Sequence, residues 1–330
     1  MPVIAPDDID FSLYEQETEA QQRVRPASQY VQALIDRANS PMREKRRYMP
    51  WGKTHRLIQF REGEVTMWGG QNGSGKSLVV GQVALSLGAQ GEKVAIASFE
   101  MKPWKTMHRM GRQWTLQDIE DERLMSDPAE RRAILDLYEQ FRDWTHTRLW
   151  LYDRQGTVHW REMCAVARYC AKELGITQIV VDNLMKCVAG EDDYNGQKQF
   201  IDEICAIARD YGPHIHIVHH VKKPASDDHL PTKYDFKGTG AITDQVDNVI
   251  AVWRNKKKER AKGAERALMD TKPDGMLIVD KQRNGSGWEG NIGLWYRPQS
   301  QQFVGSNKAQ PIAFMSDASG DGVTGAEDDA

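Results

Sequence analysis

From Val65 onward, short apolar runs alternate with stretches whose apolar positions repeat at helical spacing. The runs predict strands over Val65–Trp68, Val94–Phe99, Leu149–Tyr152, Ile179–Val181, Ile215–Val218, Asn248–Trp253, Met276–Val279 and Ile292–Trp295. The helical stretches are Lys76–Leu87, Trp104–Trp114, Pro128–Trp144, Trp160–Leu174 and Gln197–Tyr211. Continuously apolar strands separated by helices indicate a parallel sheet covered on both faces. The last three runs have no long helix between them, which predicts an antiparallel edge. The expected fold class is therefore α/β: a mostly parallel central sheet flanked by helices, with antiparallel edge strands.

The two ends read differently. Residues 1–26 mix Pro, Asp, Glu and Gln without a period and predict a flexible arm. Tyr30, Val31, Leu34, Ile35 and Ala38 then fall on one helical face, with Ser28 as N-cap and Asn39, Ser40 and Pro41 as the stop. A basic stretch from Arg43 to Arg47 follows, so 27–48 is assigned as a linker helix with a basic segment. Its apolar stripe needs a surface to pack on, in its own domain or in a neighbouring subunit. The main domain is expected over 49–305. No positive residue follows Lys308, and 306–330 predict an acidic, disordered tail.

Composition narrows the picture. Hydrophobic residues make up 40% and charged residues 28%, enough for a sizeable core. Net charge is −3, so any nucleic-acid site must be local, built from a few lysines and arginines. No apolar run approaches the roughly 18 residues of a membrane span. The acidic N-terminus carries no signal-peptide segment, and the chain is assigned to the cytoplasm. Cys164, Cys170, Cys187 and Cys205 form no CxxC pair and predict buried reduced thiols.

Candidate chemistry begins at Gly70, Gln71, Asn72, Gly73, Ser74, Gly75, Lys76 and Ser77, a full GxxxxGK[ST] match between a strand and a helix pattern. Glycines there let backbone N–H groups turn inward around phosphates, and the helix N-terminus adds positive potential. Lys76 is expected on the β- and γ-phosphates of ATP and Ser77 on Mg²⁺. Asp182 ends the apolar run in TQIVVDNL, where a carboxylate can join Ser77 in holding the metal. Glu100 ends the strand after the P-loop helix, in SFEM, placed to orient an attacking water.

Five blocks in order, GGQNGSGKS, ASFEM, IVVDNL, IVHHVKKP and DFKGTGAITDQVDNVIAVWRN, resemble the motor domain of DnaB-type replicative helicases, in particular the helicase half of phage primase–helicases. The resemblance runs from about Trp51 to Val304 and implies a RecA-like P-loop core. It implies Glu100 as catalytic base and His220 as γ-phosphate sensor. It places Lys222, Lys223, Lys237 and Gly238 on loops that face single-stranded DNA in a ring channel. Lys281 and Arg283 resemble a lysine and an arginine finger that enter the neighbour's ATP site; alternate positions share a strand face. Arg254 and Tyr296 resemble the pair enclosing adenine. His219 is expected to be an ordinary core residue.

Two departures stand out. Lys237 replaces an arginine common in the family, which weakens fork-like phosphate recognition. The basic segment Lys256-Lys257-Lys258-Glu259-Arg260 reads as an insertion, a solvated hairpin tip. The implied protein is an ATP-dependent, hexameric helicase on single-stranded DNA, without a primase region. Candidate partners are a primase, a polymerase or a loader, although Ala330 leaves the acidic end without the terminal aromatic of polymerase-docking tails. A RecA-like recombinase that forms filaments and a regulatory ATPase that moves no DNA are the alternatives.

Overall fold

The computed structural model describes residues 26–39, 45–223, 226–238 and 240–314. The expected arm at 1–25, most of the basic stretch and the tail from 315 lie outside the described residues. The chain divides into two units between Lys45 and Arg46. In the first, helix α1 spans Ala27–Asn39. It starts before Ser28, so Ser28 sits inside the first turn and does not cap it. Tyr30, Val31, Leu34 and Ile35 are exposed.

The second unit is built on a nine-stranded sheet in the order β3-β2-β4-β5-β1-β6-β7-β8-β9. Its strands are β1 Val65–Gly69, β2 Val94–Ser98, β3 Leu149–Tyr152, β4 Gln178–Asp182, β5 His214–Val218, β6 Asn248–Arg254, β7 Gly275–Gln282, β8 Gly290–Arg297 and β9 Gln302–Val304. From β3 to β6 every pairing is parallel, and β6-β7, β7-β8 and β8-β9 are antiparallel. The mixed architecture expected from the apolar runs is the one observed. β9 escaped prediction because it is three residues long and carries no period.

The helices are α2 Lys76–Ala89, α3 Pro103–Thr115, α4 Glu122–Ser126, α5 Pro128–Thr145, α6 Trp160–Lys172, α7 Tyr194–Tyr211, α8 Ala241–Gln245, α9 Lys256–Arg260 and α10 Gly263–Met269. Alternating strand residues serve two cores. Val65, Met67, Ile179, Val181, Ile215 and Ile217 pack with α6 and α7. Trp68, Val180, Val218 and Ile250 pack with α2, α3 and α5 on the other face. Helix α2 is apolar nearly all round, and nearly all of it is buried. Cys164, Cys170, Cys187 and Cys205 are buried and free. Burial pushes the Cys164 and Cys205 thiols up to about 12, the inert state of a structural cysteine.

The unit also extends beyond the expected domain at both ends. Arg47 is buried, with Nε 2.7 Å from Glu92 and Nη2 2.8 Å from Glu62. Ile312 N–H donates to Gln302 Oε1 at 2.7 Å, and Phe314 is buried. Both polar-looking margins are held by side-chain partners in the main unit.

Candidate functional site

Strand register assembles the site. Ser98 pairs with Asp182, Asp182 with Val218, and Trp68 with Val218, so β2, β4, β5 and β1 end in one row. The P-loop, Glu100, Asp182 and His220 therefore emerge together at the carboxyl edge of the parallel strands, where open α/β sheets bind ligands. They line one cleft of about 1130 Å³ with Arg254, Tyr296 and Arg109 of α3. That is ample for a nucleotide, since ligand clefts run from roughly 300 to 1,000 Å³.

Gly73 and Gly75 take φ of +75° and +89°, which glycine adopts without a Cβ penalty. Gly75 caps α2, leaving the first amides of that helix directed into the cleft. Lys76 Nζ donates to Gly70 O at 2.7 Å and Gln71 O at 2.8 Å. Burial lowers its pKa to about 8, opposed by the charges of Asp182 and Glu100. An ammonium on two carbonyls, at the head of a helix dipole, is poised for a stronger anion.

Ser77 Oγ donates to Asp182 Oδ2 at 2.8 Å. Burial holds the Asp182 carboxyl above the usual carboxylate range, although the Ser77 bond, Lys76 and Arg109 pull it down. A hydroxyl oxygen beside a desolvated carboxylate fits a magnesium ion. Among the described residues no three His, Cys, Asp or Glu side chains form a metal cage. Ser77 and Asp182 are the residues that would hold the ion.

Asn183 is a residue that sequence reasoning missed. Its Nδ2 donates to Glu100 Oε1 at 2.7 Å and lies 3.1 Å from His220 Nε2. It thus joins the expected base to the expected sensor. Burial, then the Lys76 charge, lowers the pKa of His220. A neutral ring that accepts at Nε2 carries its proton on Nδ1, which has no partner among the described residues. His219 is buried and faces Lys237 O at 2.8 Å, a structural role as expected. Arg109 also went unnoticed, because nothing local distinguishes a basic residue in a helix.

Other expected residues lie elsewhere. Lys222 and Lys223 are exposed just beyond His220. Lys222 N–H donates to Asp235 O at 2.7 Å, and Val221 bridges Phe236. Lys237 is ion-paired with Glu191. Gly238 has φ +84°, and a Cβ there would sit 2.0 Å from Gln197 Oε1. Close packing explains this glycine directly.

Lys281 and Arg283 are outside the cleft. Lys281 Nζ donates to Thr243 O at 2.9 Å and Asp244 O at 2.7 Å. Arg283 Nη2 donates to Asp244 O at 2.9 Å, and Nη1 lies 3.2 Å from Asp247 Oδ1. Both cations rest on the carbonyl end of α8. Gln282 pairs with Asn248 at the start of β6, whereas Arg254 at its end bonds Gly73 O at 2.9 Å. Six steps of about 3.3 Å put roughly 20 Å between those ends.

A family model described as the DnaB-like helicase C terminal domain matches residues 55–305. The chain belongs to the DnaB-like helicase family. Among solved structures, the DnaB-like chain is similar to one described as an "ATPase Domain", with TM-score 0.69 and 13% identity over 84% of this chain and 97% of that one. It is also similar to one described as "The Structure Of A DnaB-Like Replicative Helicase And Its Interactions With Primase". There the TM-score is 0.67 and the identity 13%, over 89% of this chain and 71% of that one. At such identity the likeness is one of fold.

The insertion of this DnaB-like chain departs from the expected solvated hairpin tip. Residues 256–260 form α9 and 263–269 form α10. Lys258 is buried, its Nζ 2.8 Å from Asp274 Oδ1 and 2.7 Å from Lys272 O. Glu259 pairs with Arg254, and Lys258, Glu259 and Arg266 line the cleft. Asp274 draws Lys258 inward, so that part of the charge run becomes a wall of the site. No described helix is long and apolar enough to cross a membrane.

Proposed function

We propose that this chain is an ATP-hydrolysing replicative DNA helicase that works as a ring, with nucleotide at each subunit interface. The observation that carries the reading is the separation of Lys281 and Arg283 from the cradle of their own chain by the length of β6. A cation useful in phosphoryl transfer must reach the phosphates. One on the far edge of the sheet serves a neighbour.

One subunit supplies the P-loop, Glu100, Asp182 and His220. Glu100, oriented by Asn183, takes the proton of the attacking water. Lys76 leaves the Gly70 and Gln71 carbonyls for the phosphates, and Arg254 and Tyr296 bound the adenine side. Magnesium, held by Ser77 and Asp182, neutralises phosphate charge when bound. The neighbour's Arg283 and Lys281 complete the site. Lys222, Lys223, Lys237 and Gly238 form the surface for single-stranded DNA, binding its backbone without reading bases. Release of γ-phosphate is sensed by His220 and passed to the adjoining loop.

The exposed stripe on α1 docks on the adjacent subunit, and the set of six follows the family pattern. The protein acts in the cytoplasm, of a host if phage-encoded, with a primase, polymerase or loader as partner. Electron micrographs with a non-hydrolysable ATP analogue and oligo-dT test the assembly. Closed rings threaded by DNA support it; open filaments would favour a recombinase instead.

A further inference from the structure

Within the basic insertion, Lys256 bridges two elements that have separate tasks in the function proposed above. Its Nζ lies 3.1 Å from Gln71 Oε1 in the P-loop and 3.2 Å from Asp227 Oδ1 in the loop after β5. That loop carries Lys222 and Lys223. One ammonium carries three donors, so both contacts coexist.

Each end of the bridge is anchored further. On the cradle side, Gln71 O receives Lys76 Nζ at 2.8 Å and Ser74 N–H at 3.1 Å. On the loop side, Trp253 Nε1 donates to Asp227 O at 3.2 Å, and Arg260 Nη1 lies 2.6 Å from Asp227 Oδ2. Arg260 thus grips the same carboxylate without reaching the P-loop. Lys257 is exposed and projects from the same helix. Val221 N–H to Gly70 O, at 3.3 Å, is the backbone link at the start of the loop. Lys256 is a side-chain link further along it.

We propose that Lys256 is a positioning residue that couples occupancy of the loop after β5 by a polynucleotide backbone to the grip of the phosphate cradle. A strand that draws Lys222 and Lys223 toward it displaces Asp227. The ammonium then either pulls Gln71 along or releases it, and the carbonyl of Gln71 shares with that of Gly70 the hold on Lys76. Coupling of this kind is reciprocal: nucleotide that reshapes the P-loop also alters the loop's hold on the strand. This inference rests on the loop being the polynucleotide surface.

The test uses the full chain and measures ATP turnover with and without oligo-dT, together with oligo-dT affinity by anisotropy. Lys256→Ala is expected to keep DNA-free kcat and KM and oligo-dT affinity within about twofold, while DNA stimulation of turnover falls about fivefold or more. Asp227→Asn should reproduce the loss and add nothing to Lys256→Ala, Lys256→Arg should restore stimulation, and Arg260→Ala and Lys257→Ala should retain it. Undiminished stimulation in Lys256→Ala overturns the proposal. So does a proportional fall in basal and stimulated rates, which marks a purely structural role, or a loss of oligo-dT binding. A wild-type enzyme indifferent to oligo-dT overturns the polynucleotide reading itself, and this inference with it.

Discussion

The side-chain amide of Asn183 donates to the carboxylate of Glu100 at 2.7 Å, while the same nitrogen lies 3.1 Å from His220. Glu100 is otherwise the exposed member of the cluster, so its orientation depends on this contact. Asn183→Ala is therefore expected to lower kcat by roughly tenfold or more, a loss within the range of a mispositioned general base. ATP affinity should change by about twofold or less. Stopped-flow binding and single-turnover hydrolysis separate the two. An unchanged chemical step would remove Asn183 from the mechanism.

Lys76 predicts a pH dependence of nucleotide affinity. Its pKa of about 8 comes from burial, and a triphosphate would raise it by stabilising the charged form. Binding then takes up a proton above pH 8. Affinity for a non-hydrolysable ATP analogue should be full below that value and fall by up to about tenfold per pH unit above it. Calorimetric titrations from pH 7 to 9.5 measure the trend, with Lys76→Arg expected to be flat. A flat wild-type curve would show that Lys76 is already fully charged.

Acid stability depends on the buried histidines of β5 and its end. Burial lowers His214 to about 3 and His219 to about 4, and puts His216 well below its ordinary value. The unfolded chain therefore binds more protons once pH falls below about 6.5. Stability should drop in that window by up to about 1.4 kcal/mol per pH unit for each histidine. Urea midpoints between pH 7.5 and 4.5 check this. His214→Gln should flatten the slope even if it lowers stability at pH 7.5; an unaltered slope would contradict the assignment.

The exposed Tyr30, Val31, Leu34 and Ile35 on α1 predict an effect on assembly. The double substitution Leu34→Glu and Ile35→Glu should shift mass photometry toward smaller species and leave the melting temperature of the ATPase unit within a few degrees. Unchanged assembly would rule out docking through this face.

Most of the sheet was legible because the strands are short continuous apolar runs, and the P-loop because its spacing is itself the function. The Walker-type acid could be found since Asp182 ends such a run. Asn183, immediately after it, could not: its value depends on β2, β4 and β5 ending in one row, which no local pattern reveals. The insertion was misjudged for a related reason. Lys256, Lys258 and Arg260 resemble a solvated charge run until Asp227 and Asp274 are brought beside them by the fold. Arg283 shows the opposite case: the family pattern names the residue, and the register of β6 with β7 puts it at the end of the sheet away from the cleft.

The central claim is that each active site draws on two chains, and mixing two defective variants measures this directly. Lys76→Ala lacks a working cradle but keeps its finger; Arg283→Ala keeps the cradle and lacks the finger. Each alone should hydrolyse ATP at about one hundredth of the wild-type rate or less, in line with loss of a trans arginine. Mixed before assembly, they should regain turnover well above the sum of the two, because some interfaces pair an intact cradle with an intact finger. Full ATPase activity of Arg283→Ala by itself, or no gain on mixing, would contradict the account.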